Sequence, residues 1–214
     1  MLNSFSKENV LNYLKRLIRH PLFYVLLALF ALDIASKWII VGIFKTPNGS
    51  TTWLIPNFLG VRFICNTGAI FGLGQGETWA RGLFIAIRLI LAILIPFIYF
   101  LKGRAIKMRY KVALAMIYAG CIGNLVDSMF YWPNITGFNG VVDWIQFSFF
   151  SPTFNLADSY ITIAVFLLII FIIIDEIKEV TIKNRKGAYT LTPEEYEKKL
   201  AEENKKKNGF SNKE

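Results

Sequence analysis

Residues 21–44 read PLFYVLLALFALDIASKWIIVGIF. This run is apolar except for Asp33 and Lys37, and a helix needs about 20 such residues to cross the hydrocarbon of a bilayer. Comparable apolar runs occur at 79–101, 110–132 and 154–174. Because backbone polar groups find no water in lipid, each run is expected to be a helix. The sequence therefore predicts a mainly α membrane protein with four transmembrane helices.

The overall composition supports this interpretation. The chain has 214 residues, of which 54% are hydrophobic, and 19 are Phe. The net charge of +9 would fit a nucleic-acid-binding protein, but the placement of the charges favours a membrane protein instead. Cys65 and Cys121 lie in apolar contexts and His20 is the only histidine, so neither a thiol nucleophile nor a zinc site is expected. The prediction is no metal, no cofactor and no nucleic-acid partner.

Positive charges predict the topology. Residues 102–111 carry five Lys or Arg, the first twenty residues carry four, and the segment from Glu176 onward carries ten. The segments 45–78 and 133–153 together hold only Lys45 and Arg62. Because cytoplasmic segments near membrane spans are enriched in Lys and Arg, both termini are expected in the cytoplasm. The chain is thus divided into a cytoplasmic segment 1–20, a membrane domain 21–175 and a charged cytoplasmic tail 176–214.

The two outward segments differ in composition. Residues 59–65 read LGVRFIC, which is rich in β-forming residues, so a small sheet or hairpin is predicted between the first and second spans. The segment 133–153 is rich in Phe and Trp, which is typical of an interfacial segment that enters the headgroup layer.

Aspartates mark the candidate site. Four of the five, namely Asp33, Asp127, Asp143 and Asp158, lie within or beside the apolar spans. A carboxylate at the centre of a bilayer costs about 2.5 kcal/mol or more, so four of them indicate an internal polar site. For each one taken alone, a helix cap or a structural ion pair is the alternative.

The spacing of these residues predicts where they meet. Asn124 and Asp127 are three apart and share a helix face, and so do Asn155 and Asp158. Together with Asp143 they are expected to converge near the outer membrane surface. Asp33 and Lys37, four apart on the first span, can form an ion pair that is either structural or part of the site.

Two carboxylates held close together suit aspartyl protease chemistry. They cannot both ionise easily, so one pKa rises and the pair shares a proton. One carboxylate can then take a proton from water while the other donates to the carbonyl oxygen of a peptide.

Five short blocks occur in order along residues 25–175. They are Asp33 with Lys37, NTGAIF at 66–71, GNLVD at 123–127, VVD at 141–143 and FNLADS at 154–159. In this order they resemble the lipoprotein signal peptidases, also called type II signal peptidases.

The resemblance implies a role for each matching residue. Asp143 and Asp158 match the catalytic pair of the family, and Asp127 matches a supporting carboxylate. The remaining matches are polar or substrate-binding positions: Asn66, Gly68, Asn124, Asn155, Asp33 and Lys37. The implied protein is a bacterial inner-membrane enzyme that works among membrane lipid. A monomer is expected separately, because the sequence shows no repeat and no large outer segment. Its implied substrate is a prolipoprotein, cut just before a cysteine that carries a diacylglyceryl group.

One position departs from the family pattern. Ser128 follows Asp127 where the family usually has Arg, so either Arg62 or Arg88 supplies the positive charge or the site works without it. The stretch 131–140 also looks inserted and could alter the cover of the site. Two other functions stay open at this point: a proton-coupled carrier that uses the buried carboxylates, and a scaffold that has lost activity.

Overall fold

A computed structural model describes residues 7–47, 49–67, 78–130 and 137–189, together with residues 192, 194–195, 197–198 and 200–202. The chain divides into two units, Met1–Leu168 and Ile169–Glu214. The first unit contains the sheet and the clustered aspartates. In the second unit, Thr192 and Glu195 form a reciprocal cap in which each side chain accepts the backbone N–H of the other.

Helices account for most of the described residues. They are α1 (Lys7–Arg19), α2 (Pro21–Phe44), α3 (Thr78–Lys102), α4 (Met108–Phe130) and α5 (Leu156–Tyr189). All except α1 contain a segment that is long and apolar enough to cross a membrane, which confirms the four predicted spans. Large apolar side chains point away from the protein, such as Ile93, which is 71% exposed. Such surfaces suit contact with lipid.

The first predicted span coincides with α2, and helix also occurs in the segments that flank the spans. The basic N-terminal segment forms α1, and the break after it lies at Pro21, which occupies the first turn of α2. His20 caps α2, because its Nδ1 accepts the backbone N–H of Leu22 at 3.2 Å. At the other end of the chain, α5 continues to Tyr189, so the predicted start of the tail at 176 falls inside a helix.

A four-stranded antiparallel sheet covers one end of the helices. Its strands pair in the order β1 (Thr51–Ile55), β2 (Leu59–Asn66), β3 (Val141–Phe147) and β4 (Phe150–Phe154). The first two confirm the predicted sheet between the first two spans. The segment 133–153, which was expected to be interfacial and for which no strand was predicted, contributes β3 and β4 to the same sheet. The prediction missed these strands because of burial: β3 is covered along nearly its whole length, so it lacks the apolar–polar alternation of a half-exposed strand.

A small apolar cluster joins the sheet to α2. Phe63 of β2 is fully buried against Phe138, with ring centroids 5.6 Å apart in an edge-to-face arrangement. Ile40 and Val142 complete this cluster. Gly140 enters β3 with φ +114°, and a Cβ there would meet the backbone of Asn66. Only glycine fits this position, and its close approach sets the pairing of β2 with β3 beside the aspartates.

Candidate active site

A buried lysine lies between two carboxylates. Lys37 Nζ is 2.7 Å from Asp33 Oδ2 and 2.9 Å from Asp127 Oδ2, and all three side chains have no exposed surface. The predicted pairing of Asp33 with Lys37 is confirmed. Because two carboxylates surround one cation, the formal charge of the group is −1, and further hydrogen-bond donors are needed to stabilise it.

Backbone amides supply those donors. Asp33 Oδ1 accepts the N–H of Ala157 at 2.9 Å, in the first turn of α5. Asp127 Oδ2 accepts the N–H of Val142 in β3 at 3.2 Å. Gly123 of α4 allows the Asp33 carboxylate of α2 to lie close to the α4 backbone, since a Cβ at position 123 would overlap that carboxylate. The ion group therefore links α2, α4, α5 and β3, which are the elements that carry the remaining polar residues.

Asn155 connects the two aspartates that were predicted to be catalytic. Its Nδ2 donates to Asp143 Oδ1 at 2.6 Å, and its Oδ1 accepts the backbone N–H of Asp158 at 2.9 Å. Asp158 Oδ2 in turn accepts the backbone N–H of Asn155 at 3.3 Å. This reciprocal cap fixes the start of α5, and Asn155 donates to both carboxyl groups, with its side-chain amide to Asp143 and its backbone N–H to Asp158.

Asn124 joins this pair to the buried lysine. Its Nδ2 donates to Asp158 Oδ1 at 2.7 Å, while its Oδ1 accepts from Lys37 Nζ at 3.0 Å and from Asn155 Nδ2 at 3.0 Å. Since an ammonium group can only donate, the amide oxygen must face Lys37 and the amide nitrogen must face Asp158. The orientation of the Asn124 amide is thus fixed by its neighbours.

The pairing of β2 with β3 brings Asn66 close to Asp143. Ile64 of β2 is paired with Asp143 of β3, and Asn66 lies two residues further on the same face of β2. The side chain of Asn66 hydrogen-bonds to Asp143. Asp143 itself is only 1% exposed, while Asp158 is partly exposed to the adjoining cavity.

These surroundings shift the proton affinity of Asp143. Its burial raises the pKa of this carboxyl well above the usual range, and the nearby charge of Asp158 raises it further. Hydrogen bonds from Asn66 and Asn155 and the charge of Lys37 oppose the rise without cancelling it. A raised pKa beside a second carboxylate is what the hypothesis of a shared proton requires.

The pair opens into a cavity of about 760 Å³. Its polar lining includes Asp143, Asp158, Asn66, Asn124 and Arg88. Most of the surrounding wall is apolar and is formed by Phe84, Ile87, Leu91, Ile117, Phe150, Phe154 and Ile161. Such a cavity can hold an apolar ligand with one polar segment directed at the carboxylates.

A family model described as Signal peptidase (SPase) II matches residues 25–174. The chain belongs to the signal peptidase II family. The matched segment holds every aspartate, asparagine and lysine of the site described above, and the resemblance drawn from the five blocks is confirmed.

Relatives within this family agree with that assignment. A lipoprotein signal peptidase of Bifidobacterium longum subsp. infantis is 35% identical over 131 residues, which are 60% of this chain and 66% of that protein. The chain thus spans slightly less than two thirds of that relative's length. The lipoprotein signal peptidase of Listeria monocytogenes serotype 4a is 30% identical over 166 residues, which are 75% of this chain and 98% of that protein.

Solved structures show the same fold. A bacterial membrane enzyme determined by the in meso method at 2.3 Å resolution is 30% identical, with a TM-score of 0.59. The match covers 72% of this chain and 88% of that chain. A second membrane enzyme structure, at 1.9 Å resolution, is 29% identical with a TM-score of 0.55, covering 71% of this chain and 91% of that chain.

The structure brings together eight of the nine predicted site residues. Gly68 lies outside the described residues, as do residues 131–136 of the inserted-looking stretch. The eight are Asn66, Asn124, Asn155, Asp33, Lys37, Asp127, Asp143 and Asp158, linked by the hydrogen bonds and ion pairs given above. Among the described residues, no group of three or more His, Cys, Asp or Glu is arranged to hold a metal ion.

The position that departs from the family pattern has two arginine neighbours. Arg88 Nη1 donates to Ser128 Oγ at 2.6 Å, and Arg81 Nη2 donates to the backbone oxygen of Ser128 at 2.8 Å. Ser128 Oγ in turn donates to the backbone oxygen of Asn124 at 2.7 Å. Arg81 was not singled out from the sequence. Arg88 carried a visible signal, because it is a cation well inside an apolar span.

Cys65 lies close to the site in β2 but is poorly suited to act as a nucleophile. Burial, together with the nearby charges of Asp143 and Asp127, raises the pKa of its thiol to about 12. A thiolate, the reactive form of cysteine, is therefore scarce at neutral pH.

Proposed function

We propose that this chain is an aspartyl endopeptidase that removes the signal peptide from prolipoproteins, cutting just before a cysteine that carries a diacylglyceryl group. The observation that carries the proposal is the link through Asn155, which binds Asp143 at 2.6 Å and the amide of Asp158 at 2.9 Å beside a largely apolar cavity. The family assignment supports the substrate, because relatives of this chain are named lipoprotein signal peptidases.

The reaction follows from sharing one proton between two carboxyl groups. The ionised carboxylate takes a proton from a water molecule, and the oxygen of that water attacks the peptide carbonyl. The protonated carboxyl donates its proton to the carbonyl oxygen, so a neutral tetrahedral intermediate forms without a covalent enzyme adduct. Because the two carboxyl groups share this proton, the donor and base roles belong to the pair, and either Asp143 or Asp158 can hold the proton in the first step.

Asn124 and Asn155 orient the two carboxyl groups. Each carboxyl group accepts a side-chain amide hydrogen, Asp158 at 2.7 Å from Asn124 and Asp143 at 2.6 Å from Asn155. Neither amide can take up or release a proton at working pH, so both can orient the pair without competing for its proton. The buried lysine holds Asn124 in turn.

Arg88 supplies a positive charge at this site in our proposal. The guanidinium lines the cavity together with both aspartates and is anchored by Ser128. Of the two arginines considered from the sequence, Arg88 fits better, because Arg62 lies on β2 with its Nη2 beside Gly49, whereas Arg88 lines the cavity itself. A guanidinium here can donate to a substrate carbonyl and stabilise the negative charge that develops on its oxygen.

The cavity suits a substrate that enters from lipid. Apolar side chains from α3, α4 and α5 form much of its wall, and the sheet covers the end of the helices where the aspartates lie. The two acyl chains and the apolar signal helix can reach this site through the bilayer. The Lys and Arg residues of segments 1–20, 102–111 and 176–214 favour a cytoplasmic location of both termini. The family resemblance favours the inner membrane, and a monomer is sufficient for the site.

Substitution of either aspartate tests the proposal. Asp143→Asn and Asp158→Asn keep the side-chain size but remove the ability to share a proton, so each is expected to lower the cleavage rate of a lipidated prolipoprotein by at least about 10³-fold. Glu176→Gln, a carboxylate outside the site, is the matched control and should cleave normally. Normal cleavage by both aspartate variants, with normal membrane insertion, would show that the chemistry lies elsewhere.

A further inference from the structure

A second cavity lies at the end of the helices remote from the sheet, and the proposed proteolysis does not use it. The sheet follows α2 and α4, whereas this cavity lies where α2 and α4 begin and α3 ends. It measures about 960 Å³, and its lining includes Tyr13, His20, Tyr99, Lys102, Arg104 and Lys111. No part of the ion group or of the aspartate pair lines it.

The charge of this cavity is uniformly positive among its described lining residues. Lys102, Arg104 and Lys111 contribute to the wall, and no Asp or Glu does. An adjoining cavity of about 450 Å³ shares His20 and adds Lys15 and Arg19. Five Lys or Arg side chains thus line two cavities that share lining residues, and neither described lining contains a carboxylate. This charge favours a ligand that is negatively charged.

An apolar cavity adjoins the basic one. It measures about 210 Å³ and shares Tyr13, His20, Tyr99 and Lys111 with the basic cavity. Its remaining lining is apolar and consists of Leu17, Leu22, Phe23, Leu26, Ile95, Pro96, Leu114, Ala115 and Tyr118. A ligand that fills both would need an anionic head and a hydrocarbon chain.

The residues shared by the two cavities are held in place by the protein. Tyr13 donates its hydroxyl to the backbone oxygen of Pro96 at 3.3 Å, and its ring packs edge-on to Phe100 at 4.7 Å. Lys111 Nζ lies 5.8 Å from the centre of the Tyr99 ring. The Nδ1 of His20 accepts the backbone N–H of Leu22 in the cap of α2, which fixes the orientation of its ring.

We propose that this bipartite cavity binds an anionic phospholipid, with the phosphodiester in the basic part and an acyl chain in the apolar part. Membrane proteins commonly hold anionic headgroups in basic pockets between helices at the cytoplasmic side. Here α1 forms one wall of the pocket, so bound lipid would connect α1 to the last turn of α3 and the first turn of α4.

Native mass spectrometry of the full chain in detergent tests the proposal, with dioleoyl phosphatidylglycerol and dioleoyl phosphatidylcholine as probes. The anionic lipid should bind at least about tenfold more tightly than the zwitterionic one. The double variant Arg104→Gln/Lys111→Gln should lose most of that preference. Lys178→Gln/Lys198→Gln removes the same charge elsewhere and should keep it. Ala115→Phe should weaken binding of both lipids by filling the apolar part while leaving every charge in place.

Three results would overturn the proposal. One is equal binding of the two lipids by the unmodified chain. Another is unchanged phosphatidylglycerol binding by both the charge variant and Ala115→Phe, each verified as folded by its thermal unfolding. A third is displacement of phosphatidylglycerol by inorganic phosphate at equal concentration, which would identify a simple anion site. Asp143→Asn should bind phosphatidylglycerol normally, so the outcome is independent of the proposed proteolysis.

Discussion

Asn155 donates its side-chain amide to Asp143 at 2.6 Å, across the junction between a helix and a strand. Asn155 directly precedes α5, whereas Asp143 lies in the middle of β3. The same amide group also reaches the backbone oxygen of Val142 at 3.3 Å and Asn124 Oδ1 at 3.0 Å. This single side chain therefore connects the aspartate on the sheet to the start of the helix that carries the other aspartate.

Replacement of Asn155 by Asp should impair catalysis more than folding. Asn155→Asp keeps the shape but exchanges the donor for a third carboxylate, so the hydrogen bond to Asp143 is lost and like charges are brought together. We expect kcat to fall by at least about 10²-fold, with partial recovery as the pH is lowered and the added carboxyl is protonated. Cleavage rates measured across pH provide the check, and a variant as fast as the unmodified chain at neutral pH would contradict the orienting role of Asn155.

The raised pKa of Asp143 predicts how cleavage depends on pH. The pair needs one proton, and burial of Asp143 keeps that proton bound to a higher pH than an ordinary carboxyl would. Activity should therefore persist well above pH 4 and fall on the alkaline side, as the pair loses its shared proton. A pH–rate profile for a synthetic lipopeptide measures this directly, and a rate that rises steadily to alkaline pH would contradict it.

Stability should depend on Asp143 in the same direction. In the folded protein the pKa of this carboxyl lies above its unfolded value, so the folded state retains a proton that the unfolded chain has released. The free energy of unfolding should then decrease as pH rises through the folded pKa. Asp143→Asn removes this loss, and we expect it to unfold at a higher temperature than the unmodified chain at alkaline pH. An equal or lower unfolding temperature there would contradict a buried, proton-holding Asp143.

The ion group around Lys37 predicts an order of destabilisation. Lys37→Met leaves two carboxylates buried without their cation, which should cost about 3–5 kcal/mol. Asp127→Asn instead leaves Asp33 and Lys37 as a neutral pair and should cost less. Adding Asp127→Asn to Lys37→Met should recover part of the loss, since it removes one uncompensated charge. Denaturant unfolding in micelles gives the three values, and a Lys37→Met protein as stable as the Asp127→Asn protein would refute this account.

Arg88 and Ser128 predict a compensating pair of substitutions. Arg88→Met should lower kcat by about 10–100-fold, because the cavity loses its positive charge, and Arg88→Lys should retain part of the activity. Ser128 Oγ lies 2.6 Å from the guanidinium, so a longer side chain at position 128 would enter the same space. Arg88→Met combined with Ser128→Arg should therefore be more active than Arg88→Met alone.

Full activity of Arg88→Met would rule out this electrostatic role. Failure of the double variant, together with loss of activity in Arg88→Lys, would instead show that Arg88 serves mainly to pack the helices. Lys178→Met, at an exposed position of α5 that lines neither cavity, is the control for the loss of one positive charge and should cleave normally.

The sequence by itself determined the helical frame and most of the site. Apolar length specified the four spans, since the thickness of hydrocarbon imposes a fixed requirement on any segment that crosses it. The i, i+4 spacing of Asp33 and Lys37 was enough to predict their ion pair, because residues four apart on a helix are neighbours. The cost of burying a charged group was enough to predict that the four aspartates within or beside the apolar spans belong to an internal polar site.

Only the tertiary structure decided how those residues meet. β3 and β4 escaped prediction because β3 is buried on both faces and its pairing with β2 spans about 80 residues of chain. The same pairing brings Asn66 within reach of Asp143, and no local spacing encodes that contact. The contact of Arg88 with Ser128, 40 residues apart, likewise depends on the packing of α3 against α4. Spacing within a helix is fixed by its geometry, whereas these contacts between elements arise from which side chains the packed elements bury together.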